Sequence, residues 1–257
     1  MSVAAPPRPV GQLLRDWRER RRLSQLELSI QADISTRHLS FVETGRSKPT
    51  PEMILRLTEQ LDVPLRERNQ LLLAGGYAPA YPQHGLDAPE LASVRAALRL
   101  VLSGHEPYPA LVINRWWELL DANAVVQTIT EGCAQQLLEP PVNVLRLSLH
   151  PAGLAPRIIN LAQWRGHLLE QVRRRAEQTG DPRLQELHRE LTDYPGGIDH
   201  ALGNDVVVPF RLQHDVGELS FFSIAATVQT AADVTVEELV IETFYPADDD
   251  TAQRLRQ

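Results

Sequence analysis

The sequence predicts two domains of different class: an all-α domain in front, and an α+β domain built on an antiparallel sheet behind it. Three observations predict this. Apolar residues between positions 10 and 76 recur at helical spacing, with little strand-like character. The last third instead carries three β-branched and aromatic runs, 206–212, 218–228 and 237–245, separated by Gly217 and the polar stretch around Asp233. Between these regions, 77–89 (YAPAYPQHGLDAP) breaks the pattern with three prolines and Gly85. A chain of 257 residues is also long for one core. The expected boundaries are a disordered tail 1–9, a helical domain 10–76, a linker 77–89, a second domain 90–246 and an acidic tail 247–257.

Each element has its own signal. Val10, Leu13, Leu14 and Trp17 form one stripe of a first helix, with Arg15, Asp16, Arg18, Glu19 and Arg20 opposite. Ser24 and Glu27 make a capping box, so a second helix starts near Gln25 and runs to about Ala32. Ser35 caps a third helix, which Gly45 closes. Pro49 and Pro51 bracket the start of a fourth, striped by Met53, Ile54, Leu57 and Leu61. A fifth follows Pro64, with Leu71 to Leu73 inward and Gly75-Gly76 at its end. In the second domain Leu91, Val94, Leu98, Val101 and Leu102 give another amphipathic helix. Runs 109–113 and 116–120 read as strands around Asn114-Arg115, and 123–129 reads as a short helix. Segments 155–178 and 182–191 are helical by period, the latter started by Asp181-Pro182. The three C-terminal runs, joined by short turns, form antiparallel strands that the two earlier ones complete.

Composition excludes several classes. Hydrophobic residues make up 43% and charged residues 23%, as in globular proteins. No stretch reaches the roughly 20 apolar residues of a membrane span, and MSVAAPPRPV lacks the apolar core of a secretory signal. Cys133 is the single cysteine, which rules out a disulfide framework and a zinc site of paired cysteines. A cytoplasmic setting is expected. Residues 1–76 hold 12 basic and 9 acidic side chains, whereas the remainder holds 14 basic and 24 acidic ones. A basic front on an acidic body suits a front that meets a polyanion.

Two helices of about nine residues joined by the tight turn Asp33-Ile34 make a helix-turn-helix, whose second helix enters the DNA major groove. The residues Leu23-Ser24-Gln25-x-Glu27-Leu28, the ending Val42-Glu43-Thr44-Gly45-Arg46 and the following Lys48-Pro49-Thr50 resemble the lambda-repressor-like (Xre family) DNA-binding domain. The resemblance covers 10–76. It implies that Gln25 holds a phosphate and braces the recognition helix, and that Thr36, Arg37 and Ser40 or Phe41 face base edges. Ser35 caps that helix within the same site, and His38 serves either base or phosphate. Arg46 and Lys48 would lie against phosphates, a salt-sensitive and sequence-blind contact. The guanidinium fork of Arg37 suits guanine. Glu43 is expected to pair with an arginine of the first helix.

The segment from Pro109 to Asn123, with Trp116-Trp117 at its centre, is similar to the start of the ligand-binding domain of MmyB-like transcription regulators. Further matches are Val142 to Leu147, the helix around Trp164, Gln213 to Leu219 and Thr243-Phe244-Tyr245-Pro246. This likeness implies a PAS-like fold, a curved antiparallel sheet with helices against one face, holding an apolar small molecule such as a long-chain fatty acid and no other cofactor. Trp116, Trp117, Trp164, Phe210, Phe221 and Phe222 are the candidate walls, with one ring of each adjacent pair facing away because side chains alternate along a strand. Arg115, Asn123, Arg146 and His150 are the candidate polar anchors, Asn123 being also a helix cap.

Catalytic signatures are absent. His150, His167, His188, His200 and His214 are scattered, and no Walker loop, G-x-S-x-G or G-x-G-x-x-G occurs. The resulting expectation is a non-enzymatic transcription regulator that binds double-stranded DNA as a homodimer, senses a small apolar ligand and does not engage membrane. The alternatives are a protein-interaction adaptor whose helix-turn-helix does not read DNA and, further off, an enzyme on the PAS-like body.

Overall fold

A computed structural model describes residues 8–199 and 207–256. The tail positions 1–7, His200 and the first residue of the run 206–212 lie outside them. The elements, in chain order, begin with α1 (Val10–Arg20), α2 (Gln25–Gln31), α3 (Thr36–Glu43), α4 (Pro51–Gln60), α5 (Leu65–Ala74), α6 (Ala92–Gly104), β1 (Ala110–Ile113) and β2 (Leu119–Ala122). They continue with α7 (Ala124–Thr130), α8 (Gln135–Leu138), α9 (Val144–Leu149), α10 (Leu161–Thr179), α11 (Pro182–Asp193), β3 (Phe210–His214), β4 (Gly217–Thr227), α12 (Val234–Glu237), β5 (Val240–Pro246) and α13 (Asp249–Arg254). The described residues form two compact units. The first runs to His84 and also takes Thr230–Glu237; the second takes Gly85–Gln229 and the chain from Glu238 onward.

In the first unit, local chemistry sets the helix ends. Ser24 and Glu27 form the reciprocal capping box, Ser35 accepts from the His38 amide, and Thr50 accepts from the Met53 amide ahead of Pro51. Gly45 takes φ +73°, the left-handed conformation that ends α3. Leu14, Leu28, Leu39, Val42, Ile54, Leu57, Leu61 and Leu72 are sealed in the core. Gly11 brings α1 onto α3, since a Cβ there would stand 2.1 Å from the Val42 carbonyl oxygen.

Four details depart from expectation. Arg18, placed on the polar face of α1, is buried. Leu73 is 57% exposed, because each helical residue turns about 100° from the last and Leu71 and Leu72 already fill the inward arc. The proline-rich segment is tethered as far as His84: the Asn69 side chain accepts from the Ala80 and Tyr81 amides and donates to the Tyr81 carbonyl. Residues 230–237, expected as a turn running into a strand, instead build α12 within this unit. Asp233 accepts from the Thr235 and Val236 amides and meets His84 Nδ1 at 2.7 Å. Pro64 offers α5 no side-chain cap, and Glu237 supplies one by accepting from the Leu65 amide at 2.8 Å.

The second unit is a five-stranded antiparallel sheet in the order β2-β1-β5-β4-β3 with helices around it. This is the α+β architecture expected. Leu111, Ile113, Phe210, Leu212, Leu219, Phe221 and Val240 face a core shared with α7, α9, α10 and α11. Helices do not keep to one face, however. On the other side Leu98 and Leu102 of α6 pack against Ala110, Val112 and Leu239. The C-terminal acidic stretch is helical, not a free tail. Asp248 caps α13, Asp249 and Asp250 suit the positive end of the helix dipole, and buried Thr251 accepts from the Ser220 amide.

Candidate functional site

The first candidate surface is built on α3. Its inner face, Leu39, Val42 and Glu43, is buried, and its outer face carries exposed Arg37 with half-buried His38, Ser40 and Phe41. Glu43 is 5% exposed and clamps three elements: Arg18 Nε and Nη2 donate to it at 2.7 and 2.9 Å, and Gln25 Nε2 donates at 2.8 Å. The bidentate bond to Glu43 holds the Arg18 guanidinium above its ordinary pKa. Gln25 thus braces α3 as expected. Thr36 is placed differently, since its hydroxyl is hydrogen-bonded to Ser29 at 2.8 Å and ties α3 to α2. Arg37 and Arg46 both lie over the Phe41 ring, at 5.3 and 5.9 Å, so one aromatic orients two exposed cations. Lys48 lies 5.0 Å from the Tyr77 ring.

The second candidate site is a cavity of about 90 Å³ inside the second unit. Its walls include Leu111, Trp117, Ile129, Leu145, Trp164, Leu168, Phe210 and Phe244. Of the six candidate wall rings, Trp117, Trp164 and Phe210 line it. Trp164 is fixed by donating from Nε1 to Ser148 Oγ at 3.0 Å. Trp117 sits at φ +60°, an uncommon conformation for a bulky residue, inside a turn held by the Asn114 side chain. Trp116 and Trp117 diverge because of that turn and not through strand alternation.

The other expected site residues are engaged elsewhere. Trp116 donates to Asp181 at 2.8 Å beneath Arg183. Phe221 is wholly buried behind the cavity, and Phe222 stacks on Tyr245 while lining an open hollow that adjoins the cavity. Arg115 pairs with Glu238 at 3.0 Å, and Arg146 grips Glu190 through two bonds of 2.8 and 2.7 Å. Asn123 neither caps α7 nor reaches the cavity; it donates to the Leu102 and Tyr108 carbonyls and accepts from the Ala110 amide. His150 packs edge-on against Tyr194. Buried charge and amide groups need partners, and these residues found them within the fold.

Glu242 was not anticipated. It lines the cavity and also an adjoining open hollow of about 460 Å³, whose walls include His167, Arg174, Arg175 and Ser223. Burial is the main cause that pushes its carboxyl above the ordinary range, against the Ser223 hydroxyl, which favours ionisation. The signal was present in Val240-Ile241-Glu242-Thr243-Phe244, where an acid stands on the same period-two face as Val240 and Phe244. Among the described residues, no group of three His, Cys, Asp or Glu is placed to hold a metal ion, and no helix is long and apolar enough to cross a membrane.

The chain thus carries two modules, a capped helix-turn-helix and an α+β unit with an apolar cavity, the make-up of a regulator with a DNA-binding module and a ligand-binding one. Comparison with known proteins agrees. Residues 94–257 match the MmyB-like transcription regulator ligand binding domain, and 9–71 match a helix-turn-helix domain. The chain belongs to the MmyB-like transcription regulators. It is 35% identical over 83 residues to the uncharacterized HTH-type transcriptional regulator RghRB of Bacillus subtilis (strain 168), a match spanning 32% of this chain and 58% of that relative. A solved structure described as an RNA-binding Light-Oxygen-Voltage receptor aligns over 96% of this chain and 63% of its own, at 14% identity and a TM-score of 0.26.

Proposed function

We propose that α3 reads the DNA major groove, that the chain binds its operator as a homodimer, and that an apolar small molecule in the second unit changes that binding. The observation that carries the reading is exposed Arg37 on α3 and exposed Arg46 just past it, both over the half-buried Phe41 ring, on a helix whose inner face is locked by Glu43. A rigid helix presenting cations beyond its cap residue Ser35 suits base and phosphate contact, with Ser40 and His38 beside Arg37, and Gln25 and Lys48 toward the backbone. One such module covers little DNA, so two copies on half-sites about 34 Å apart are expected. The ligand acts if it favours one dimer arrangement over another. A fatty acyl chain has the shape to run from the open hollow into the cavity. A second reading, protein contact, draws on Leu26 and Ile30 of α2, which are 58% and 70% exposed one turn apart.

The test is selection of binding sites from random duplex DNA, followed by titration of variants. Arg37→Ala is expected to lose about 1–3 kcal/mol and relax one base position, and Lys48→Ala to lower the salt slope by about 1 without changing preference. Unchanged affinity and preference in Arg37→Ala remove Arg37 from the site. A selection without enrichment, with weak salt dependence, favours protein contact.

A further inference from the structure

We propose that the ligand is a neutral amphiphile, with its apolar chain in the inner cavity and a hydroxyl or amide N–H donating to the carboxyl of Glu242. The inference rests on the pocket reading above and adds the chemistry of the ligand's head.

The walls fix where that head sits. The cavity and the open hollow share three residues, Trp117, Gln171 and Glu242. At about 90 Å³ the cavity is smaller than the ~150 Å³ apolar cavity known to bind benzene. It takes a short apolar segment, and the rest of a longer molecule must pass the shared wall. At that wall Trp117 presents a ring, and Gln171 is exposed and bonded to His167 at 2.6 Å. Glu242 is the carboxyl at the junction, set on β5 between Val240 and Phe244 and flanked in the sheet by Leu111 and Ala225. One hydroxyl, from Ser223, bonds it. A carboxyl has about four acceptor sites, so capacity remains for a donor from the ligand.

The charges around it choose among heads. From α10, His167, Gln171, Arg174 and Arg175 line the hollow; Thr130 of α7 and Ser148 of α9 line the cavity, and Ser223 comes from β4. Burial, with Arg174 nearby, keeps His167 below its usual pKa and so neutral at neutral pH. Arg174 is taken by Glu170 at 2.7 Å. Arg175 lies 4.9 Å over the Trp117 ring and reaches the Arg115 carbonyl at 3.4 Å. Ser148 accepts from Trp164. A ligand carboxylate at the junction would set two acids together, with Arg174 already held by Glu170 and Arg175 laid over Trp117, so like charges would not both ionise cheaply. An ammonium would bring a further positive charge close to Arg174 and Arg175, which line the same hollow. A hydroxyl or amide N–H bonds the carboxyl without either charge.

The experiment is calorimetric titration of the full chain near neutral pH with octan-1-ol, octanoate and octylamine. Octan-1-ol is expected to bind about tenfold tighter than either charged probe. Glu242→Leu should erase that preference, whereas Glu242→Gln, whose amide oxygen still accepts, should keep it. Circular dichroism melting confirms that each variant is folded. Octanoate binding as tightly as octan-1-ol, with loss in Arg175→Ala, overturns the inference and leaves the pocket reading standing. Retained preference in folded Glu242→Leu also overturns it. Uptake of none of the three probes by folded wild type overturns the pocket reading and the inference together.

Discussion

The two units place their candidate chemistry in opposite ways. In the first, Leu28, Leu39, Ile54, Leu57 and Leu61 have no accessible surface, and the reading groups project outward from that sealed core. In the second, the candidate site lies within the core itself, bounded by the same Trp164, Leu168 and Phe210 that hold sheet and helices together. A close-packed core fixes side-chain direction, which sequence reading by a short helix requires. An incompletely filled core leaves room for a ligand to complete the packing, and occupancy then changes the energetics of the whole unit. On the proposed function, rigidity serves recognition in one unit and a void serves sensing in the other.

The largest effect expected from breaking this contrast is at Glu43. Its carboxylate is buried with Arg18 and Gln25 as donors, so Glu43→Ala takes from the buried Arg18 guanidinium its bidentate partner and leaves it Glu19 at 3.7 Å and the Leu23 carbonyl. A loss of about 3–5 kcal/mol is expected in urea unfolding of the first unit, with operator binding lost alongside it. Gln25→Ala should cost far less, because Arg18 stays paired. Equal costs for the two variants would show that the clamp is a pair of independent surface contacts.

A smaller effect compares the cores by one identical change. Val42→Leu adds a methylene where α3 meets sealed packing and is expected to cost about 1–3 kcal/mol. Val126→Leu adds the same methylene at the cavity wall, where it meets free space. It is expected to be neutral or to gain up to about 0.8 kcal/mol while weakening octan-1-ol uptake. Thermal melting of both variants reads the difference directly. Similar destabilisation at both positions would mean that the second core is as full as the first.

The same contrast explains what could be read from the chain. The helices of the first unit follow from local signals: Ser24 with Glu27, Ser35, Pro51 and Gly45 each act within a few residues, so the motif and its exposed face were visible. Arg37 is recognisable because a helix places it by spacing alone. In the second unit the roles of Arg115, Arg146 and Asn123 depend on Glu238, Glu190 and the Leu102 and Tyr108 carbonyls. Those partners are 123, 44, 21 and 15 residues away, beyond any local rule. Glu237 is a comparable case, a presumed strand residue that caps α5 from 172 positions away. Aromatic identity pointed to the cavity, but which ring lines it was decided by a turn at Trp117 and by the closure of the sheet.

The smallest effect belongs to a single proton, and its sign separates two carboxyls of the second unit. Burial raises the pKa of Glu242 above the ordinary 4.5, so in the window above that value the folded chain keeps a proton that the unfolded chain has released. Its contribution is fully present below 4.5 and is lost as pH rises through the folded pKa. Glu190 behaves oppositely. The two bonds from Arg146 lower its pKa, so its contribution is present above 4.5 and is lost as pH falls through the folded value. Because Arg146 and Glu190 are 43% and 33% exposed, solvent screening keeps that term small. Urea midpoints across pH for wild type, Glu242→Gln and Glu190→Gln should therefore diverge on opposite sides of 4.5. Glu242→Gln is expected to flatten the decline toward neutral pH. A decline unchanged in Glu242→Gln would assign the proton to another group and remove the ground for a neutral ligand head at the junction.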